Sequence, residues 1–173
     1  MPDQQLVERC AAMIRSLPVP DPFDLEQFRL NLANHRKRQL QLVKTQTPPA
    51  CSGMWISFPD TDCIFYERDT TWPHQLHIIA HETGHMVFDH RGEPLGGSEL
   101  ARLLFPSLDP DTVNAALARS GYPDAEEQEA ETFASLLLRR INTRRDADEL
   151  PTEQADLLRR VEAAFARTSG ARS

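Results

Sequence analysis

Residues 73–89 constrain this chain more than any other segment, because they read as one helix that carries His81-Glu82-Thr83-Gly84-His85. Pro73 suits a first helical turn, and Leu76, Ile79, Ala80, Val87 and Phe88 supply an apolar face. Side chains four apart on an α-helix lie on one face, one turn from each other. The imidazoles of His81 and His85 can therefore converge on one ion while Glu82 points to its adjoining side. That is the His-Glu-x-x-His arrangement, in which two histidines hold Zn2+ and the glutamate serves as general base. The bland alternative is a helix with two ordinary surface histidines. Gly84 inside a helix costs about 1 kcal/mol relative to Ala, so a packing or access requirement is expected to offset it.

A catalytic zinc takes three protein ligands and keeps an open position. An arrangement with Gly three residues and His or Asp six residues beyond the second histidine is excluded, since Phe88 and Arg91 stand there. The downstream helical stretch richest in carboxylates holds Glu126, Glu127, Glu129 and Glu131. Acidic residues there also favour the helix dipole, which needs no metal. Ala130, Phe133, Ala134 and Leu137 define the buried stripe, which places Glu127 and Glu131 along its edge and Glu126 next to them. Glu129 projects about 100° from the Ala130 direction, toward expected solvent. Helical geometry alone leaves Glu127 and Glu131 open as the third ligand.

Around this pair of segments the chain reads as α+β, with a short antiparallel sheet or hairpin and the motif-bearing helix packed against further helices. Leu6, Cys10, Met13, Ile14 and Leu17 recur at helical spacing until Pro18, Pro20 and Pro22 form a stiff connector. Asp24 can cap a second helix with Leu25, Phe28, Leu30 and Leu32 inward. Residues 39–43 alternate as a strand, and 53–58 and 63–66 read as a hairpin about Pro59-Asp60-Thr61-Asp62. A loop with Gly92, Pro94, Gly96 and Gly97 follows, then short helices at 98–105 and 111–119, a long one at 124–141 and a terminal one at 152–165. One domain over 1–173 is expected: an N-terminal helix and connector at 1–22, a core at 24–140, a C-terminal helix within 150–167 and a frayed tail.

At 173 residues with 40% hydrophobic content, the chain can bury an ordinary core without disulfides. A net charge of −7 and short, scattered basic stretches argue against direct nucleic-acid binding. Cys10, Cys51 and Cys63 are odd in number and far apart, which fits a reducing compartment, with Cys63 a small core residue. Neither a signal-peptide core nor a membrane-spanning stretch is found, so a cytoplasmic location is expected. His74 and His77 read as solvated first-turn residues, and Trp55 and Trp72 as packing residues. His90, Tyr66 and Tyr122 are candidates to stabilise an oxyanion.

The hairpin, the helix with His81-Glu82-Thr83-Gly84-His85 and the run Glu127-Gln128-Glu129-Ala130-Glu131-Thr132-Phe133-Ala134-Ser135-Leu136-Leu137 together resemble the ImmA/IrrE family of zinc metallopeptidases. The resemblance spans residues 24–140 and departs from the family pattern at Glu131, where Asn or Asp is usual. It implies a gluzincin-like, zincin-type fold and Glu127 as the third Zn2+ ligand, with the residue four positions later, Glu131, supporting a ligand histidine. It further implies a zinc endopeptidase acting on a protein partner, a helix-turn-helix transcriptional repressor. The competing expectation is a zinc-bound regulatory module that binds its partner without turnover. Oligomeric state is not legible from the chain.

Overall fold

The computed structural model describes residues 3–47, 52–90 and 122–149. The expected helices at 98–105 and 111–119, the glycine-rich loop, the C-terminal helix and the tail lie outside these residues. Two helices come first, α1 (Gln4–Ser16) and α2 (Leu25–Arg36), then strands β1 (Gln39–Thr45), β2 (Gly53–Ser57) and β3 (Thr61–Glu67), then α3 (Trp72–Val87) and α4 (Asp124–Glu149). No helix among the described residues is long and apolar enough to cross a membrane.

Local chemistry sets the element ends. Asp3 caps α1 by accepting from the Gln5 N–H, and Asp24 caps α2 by accepting from the Gln27 N–H at 2.7 Å. Lys37, at φ 55°, closes α2 in the left-handed conformation. Thr71 precedes α3, with proline in its first turn. Buried Gln75 ties this turn to the end of β3 by donating to the carbonyls of Glu67, Arg68 and Thr70.

The sheet is mixed rather than antiparallel, with strand order β1-β3-β2. The expected hairpin forms, β2 pairing antiparallel with β3 (Met54 opposite Phe65, Ile56 opposite Cys63). β1, however, lies parallel to β3 on its other side, with Leu40 opposite Asp62 and Leu42 opposite Ile64. The chain leaving β1 must therefore pass the end of β3 before returning as β2. The Glu67 carboxylate secures that crossing by accepting from the Thr47 hydroxyl at 2.6 Å, the Thr47 N–H and the Asp69 N–H. The Thr47 hydroxyl, followed by those two N–H groups, holds the Glu67 carboxyl down to about 2.

Leu40, Trp55 and Ile64 face one main core with Cys10, Ile14 and Leu17 of α1, Phe28 and Leu32 of α2, Ala80 and Met86 of α3, and Phe133, Ala134, Leu137 and Ile141 of α4. Helix α4 lies between α3 and α1, and α3 packs on β2 and β3. Two glycines mark the closest approaches. A Cβ on Gly84 would stand 3.0 Å from the Cα and 3.2 Å from the carbonyl oxygen of Ala130, so the bare glycine lets α3 rest on the backbone of α4. A Cβ on Gly53 would stand 2.3 Å from Ile78 Cγ2, so β2 also meets α3 without a side chain between them. Leu30 and Trp72, expected to pack inward, are 41% and 51% exposed. Leu30 falls opposite the Phe28 and Leu32 side of α2, and Trp72 opens α3 outside the core.

Candidate metal centre

The crossing of α3 over α4 at Gly84 and Ala130 determines what faces what. His81 and His85 project from α3 with ring centroids 4.8 Å apart and planes at 69°, so their edges converge. Their Nε2 atoms are 3.0 Å apart. Glu127, in the first turn of α4, reaches both: Oε2 lies 3.3 Å from His81 Nε2 and Oε1 lies 3.5 Å from His85 Nε2. One ligand atom from each of the three residues falls within 4.8 Å of the others. Ligands held 2.0–2.1 Å from a tetrahedral ion are separated by about 3.3 Å. The Nε2 pair at 3.0 Å and the two Glu127 oxygens, each near a different histidine at 3.3 and 3.5 Å, are close to that, while one ligand atom from each residue spans up to 4.8 Å. Among the described residues this is the group of three or more His, Cys, Asp and Glu side chains that can hold a metal.

No family model and no curated protein matches the chain. What the site can do chemically rests on its own geometry. His85 is 1% exposed, and its imidazole is pulled down to about 3, first by burial and then by the neighbouring His81 and His90. It is therefore neutral at ordinary pH, the form in which a histidine donates its lone pair to a cation. Glu82 is 6% exposed beside the triad, and its carboxyl is raised to about 8 by burial and by the charge of Glu127, against a lowering hydrogen bond from the Trp55 backbone N–H. A divalent cation among the three ligands would counter that repulsion and favour the carboxylate. A buried carboxylate under such tension, next to a cluster that could hold a metal, makes this a candidate functional site.

The structure sorts the remaining candidates. Glu131 reaches His81 Nδ1 at 3.4 Å and His77 Nε2 at 3.1 Å, so His77 joins a carboxylate shared with the candidate ligand His81. Exposed His74 pairs with the Thr70 hydroxyl at 2.8 Å. Tyr66 is buried against Ile78 and Ile79, which raises its phenol, and it is not gathered with the ligand atoms. Tyr122 stacks flat on the His85 ring, 3.6 Å between centroids and 14° between planes. His90 is buried behind His85, with Nδ1 2.9 Å from His85 Nδ1, on the side away from the converging Nε2 atoms.

Glu129 corrects the expectation most. Instead of facing solvent it is 5% exposed, with Oε2 3.0 Å from His90 Nε2 and Oε1 3.0 Å from Arg9 Nε. The expected orientation came from the Ala130 stripe alone, which describes the face toward α3. Helix α1 covers the adjoining face, and Arg9 and Cys10 meet Glu129 there. The sequence signal was the length of the apolar face of α1, which needs a partner helix.

Proposed function

We propose that this chain is a zinc-dependent endopeptidase of the ImmA/IrrE type, gluzincin-like in its ligand set and cytoplasmic, which cuts a helix-turn-helix transcriptional repressor. The observation that carries the reading is the convergence of His81, His85 and Glu127 beside buried Glu82. Two imidazoles and one carboxylate suit zinc, and three protein ligands leave a position for chemistry. When bound, zinc supplies Lewis acidity toward a water and toward the scissile carbonyl. His81, His85 and Glu127 would hold it. Glu82 accepts a proton from the attacking water and returns it to the leaving amine, with the Trp55 N–H orienting its carboxyl.

A peptide substrate also suits the surroundings. Among the described residues β2 is an edge strand. Phe58 and Ser52 bond to β3 at its two ends, so Trp55, between them in the alternation, turns its backbone N–H outward, where it meets Glu82. An extended chain pairing along that edge would run beside the base and the ligands. The second reading is a zinc-bound module that binds its partner without turnover, against which a general base beside the ligands weighs.

One experiment separates these readings. The purified protein is expected to hold about one zinc per chain, lost in His85→Ala, and to release a defined fragment from a genomically adjacent repressor. Chelation should stop the cleavage. Complex formation without fragments would favour the binding module, and a zinc-free wild type would remove both readings.

A further inference from the structure

Behind the ligand cluster runs a line of polar groups that metal binding by itself does not require. His85, His90 and Glu129 are all nearly buried, and they stand in series: His85 Nδ1 to His90 Nδ1 at 2.9 Å, His90 Nε2 to Glu129 Oε2 at 3.0 Å. Arg9 of α1 ends the series 3.0 Å from Glu129 Oε1, off the line of a hydrogen bond and so as an ion pair. The His90 ring is held by Phe88, stacked at 15°, and Phe88 in turn lies under the Arg9 guanidinium at 5.2 Å.

The turn that delivers His90 is built into the end of α3. Asp89 adopts φ 52°, the His90 N–H donates to the His85 carbonyl at 3.0 Å and the Asp89 N–H to the Met86 carbonyl at 3.4 Å, which is a Schellman closure. It folds His90 back onto the rear of the residue five positions before it.

For neutral imidazoles the series permits one arrangement of protons. A carboxylate only accepts, so His90 must carry its proton on Nε2 and donate to Glu129. His90 Nδ1 is then an acceptor, so His85 must carry its proton on Nδ1 and donate to it. The lone pair of His85 is left on Nε2, the atom that faces His81 and Glu127. The reverse arrangement would set a bare His90 nitrogen against the Glu129 carboxylate at 3.0 Å. We propose that His90 and Glu129 are positioning residues, with Arg9 as their anchor, which fix His85 in the tautomer and orientation that a metal ligand needs. This rests on the metal reading above, but the tautomer is set without the ion. It also links α1, remote from the ligands in sequence, to the site indirectly, through Glu129 and His90.

Two measurements test it. Nitrogen-15 NMR of the metal-free protein, above the imidazole titration range, should show His85 protonated on Nδ1 and His90 on Nε2, and His90→Phe should release His85 to a mixture of tautomers. Zinc affinity by chelator competition should fall roughly 10- to 100-fold in His90→Phe and Glu129→Leu, the usual effect of removing such support. His90→Gln and Glu129→Gln keep an acceptor in the series and should recover the greater part of the loss. Thermal unfolding of the metal-free variants separates this from lost stability, and if the apolar variants do not fold, the glutamine variants and the wild-type spectrum carry the test. A wild-type His85 protonated on Nε2, or zinc affinity unchanged in folded His90→Phe and Glu129→Leu, would overturn the proposal. A wild type that binds no zinc would overturn the metal reading instead and leave the tautomers to decide this one.

Discussion

Asp62 and Glu82 are both buried carboxylates that lean on the same tryptophan, yet their surroundings are opposite. Asp62, 1% exposed, accepts from Arg36 at 3.1 Å, Arg38 at 3.2 Å and the Trp55 indole N–H at 3.3 Å. Arg36 also donates to the Met86 carbonyl, and Arg38 to the carbonyls of Pro59 and Phe58, so this charge stitches α2, the hairpin turn and the end of α3 together. Glu82 has the Trp55 backbone N–H for support and the charge of Glu127 against it. A compensated buried charge holds a fold, whereas an uncompensated one is costly to keep and singles out its surroundings as a candidate site.

The largest effect should come from removing the uncompensated charge. Glu82→Gln is expected to keep zinc while lowering turnover by about 10²- to 10⁴-fold, the range for loss of a general base. Metal analysis with a cleavage assay checks this, and a zinc-loaded variant that still turns over would break the functional half of the comparison. The same variant tests the energetic half without metal. Glu82 titrates near 8 in the fold against an ordinary 4.5, so the folded state holds the extra proton between those values and wild-type stability contributed by this group falls as pH rises through that window. His85, depressed to about 3 from 6.5, acts oppositely, with stability rising from about 3 to 6.5. Since His85 is common to both proteins, denaturant midpoints should show Glu82→Gln gaining on wild type steadily from about pH 5 to 8. A gap that does not vary with pH would mean that Glu82 is not strained.

Asp62→Ala should act on stability, and on the site only through it. Breaking a buried pair leaves its partners unmatched, at about 3–5 kcal/mol. Arg36 and Arg38 retain 21% and 29% side-chain exposure and can recover water, which points to the lower end. Urea melts should show this loss, with the zinc stoichiometry of the folded fraction unchanged. Zinc lost from folded Asp62→Ala would show that the two carboxylates are coupled.

Next in size is the seam that sets the ligand spacing. Gly84→Val would force side-chain atoms onto the Ala130 backbone and should cost about 1–3 kcal/mol as an overpacked contact. It should also weaken zinc, because Glu127 and Ala130 move with the same helix. Intact zinc affinity in this variant would show that α4 can shift without moving the ligand.

How much of this was legible follows the range of each interaction. The Asp24 cap, the alternation of 39–43 and the helical spacing of His81 and His85 are local facts, and each element stands where its residues placed it. Gly84 was legible as a problem, a helix breaker needing a reason, but its reason lies on α4, 46 residues away at Ala130. The parallel pairing of β1 was not legible, since alternation identifies a strand and not its neighbour. Nor was the burial of Glu129, because the apolar stripe marks the face toward α3 and not the adjoining face that α1 covers.

The smallest effect distinguishes the two supported histidines. Each has a carboxylate behind it, His85 through His90 to buried Glu129 and His81 directly to Glu131. Glu131 is the weaker prop on three counts. Its side chain is 53% exposed, its oxygen stands 3.4 Å from His81 Nδ1, and the same oxygen is shared with His77 at 3.1 Å. An exposed contact is screened by water and must hold a flexible side chain in place, so its net contribution is small. Loss of a supporting carboxylate weakens metal binding by roughly 10- to 100-fold where it is firmly placed. Glu131→Ala should therefore fall at or below the tenfold end, and clearly below Glu129→Leu. His77→Ala should slightly strengthen zinc binding when Glu131 is present, by freeing the carboxylate for His81 alone, and should change nothing in Glu131→Ala. Chelator competition across wild type, Glu131→Ala, His77→Ala and their double variant forms a closed cycle, with Glu129→Leu measured beside it. A Glu131→Ala loss equal to that of Glu129→Leu would mean that burial does not set the strength of the support, and the contrast between the two histidines would fail.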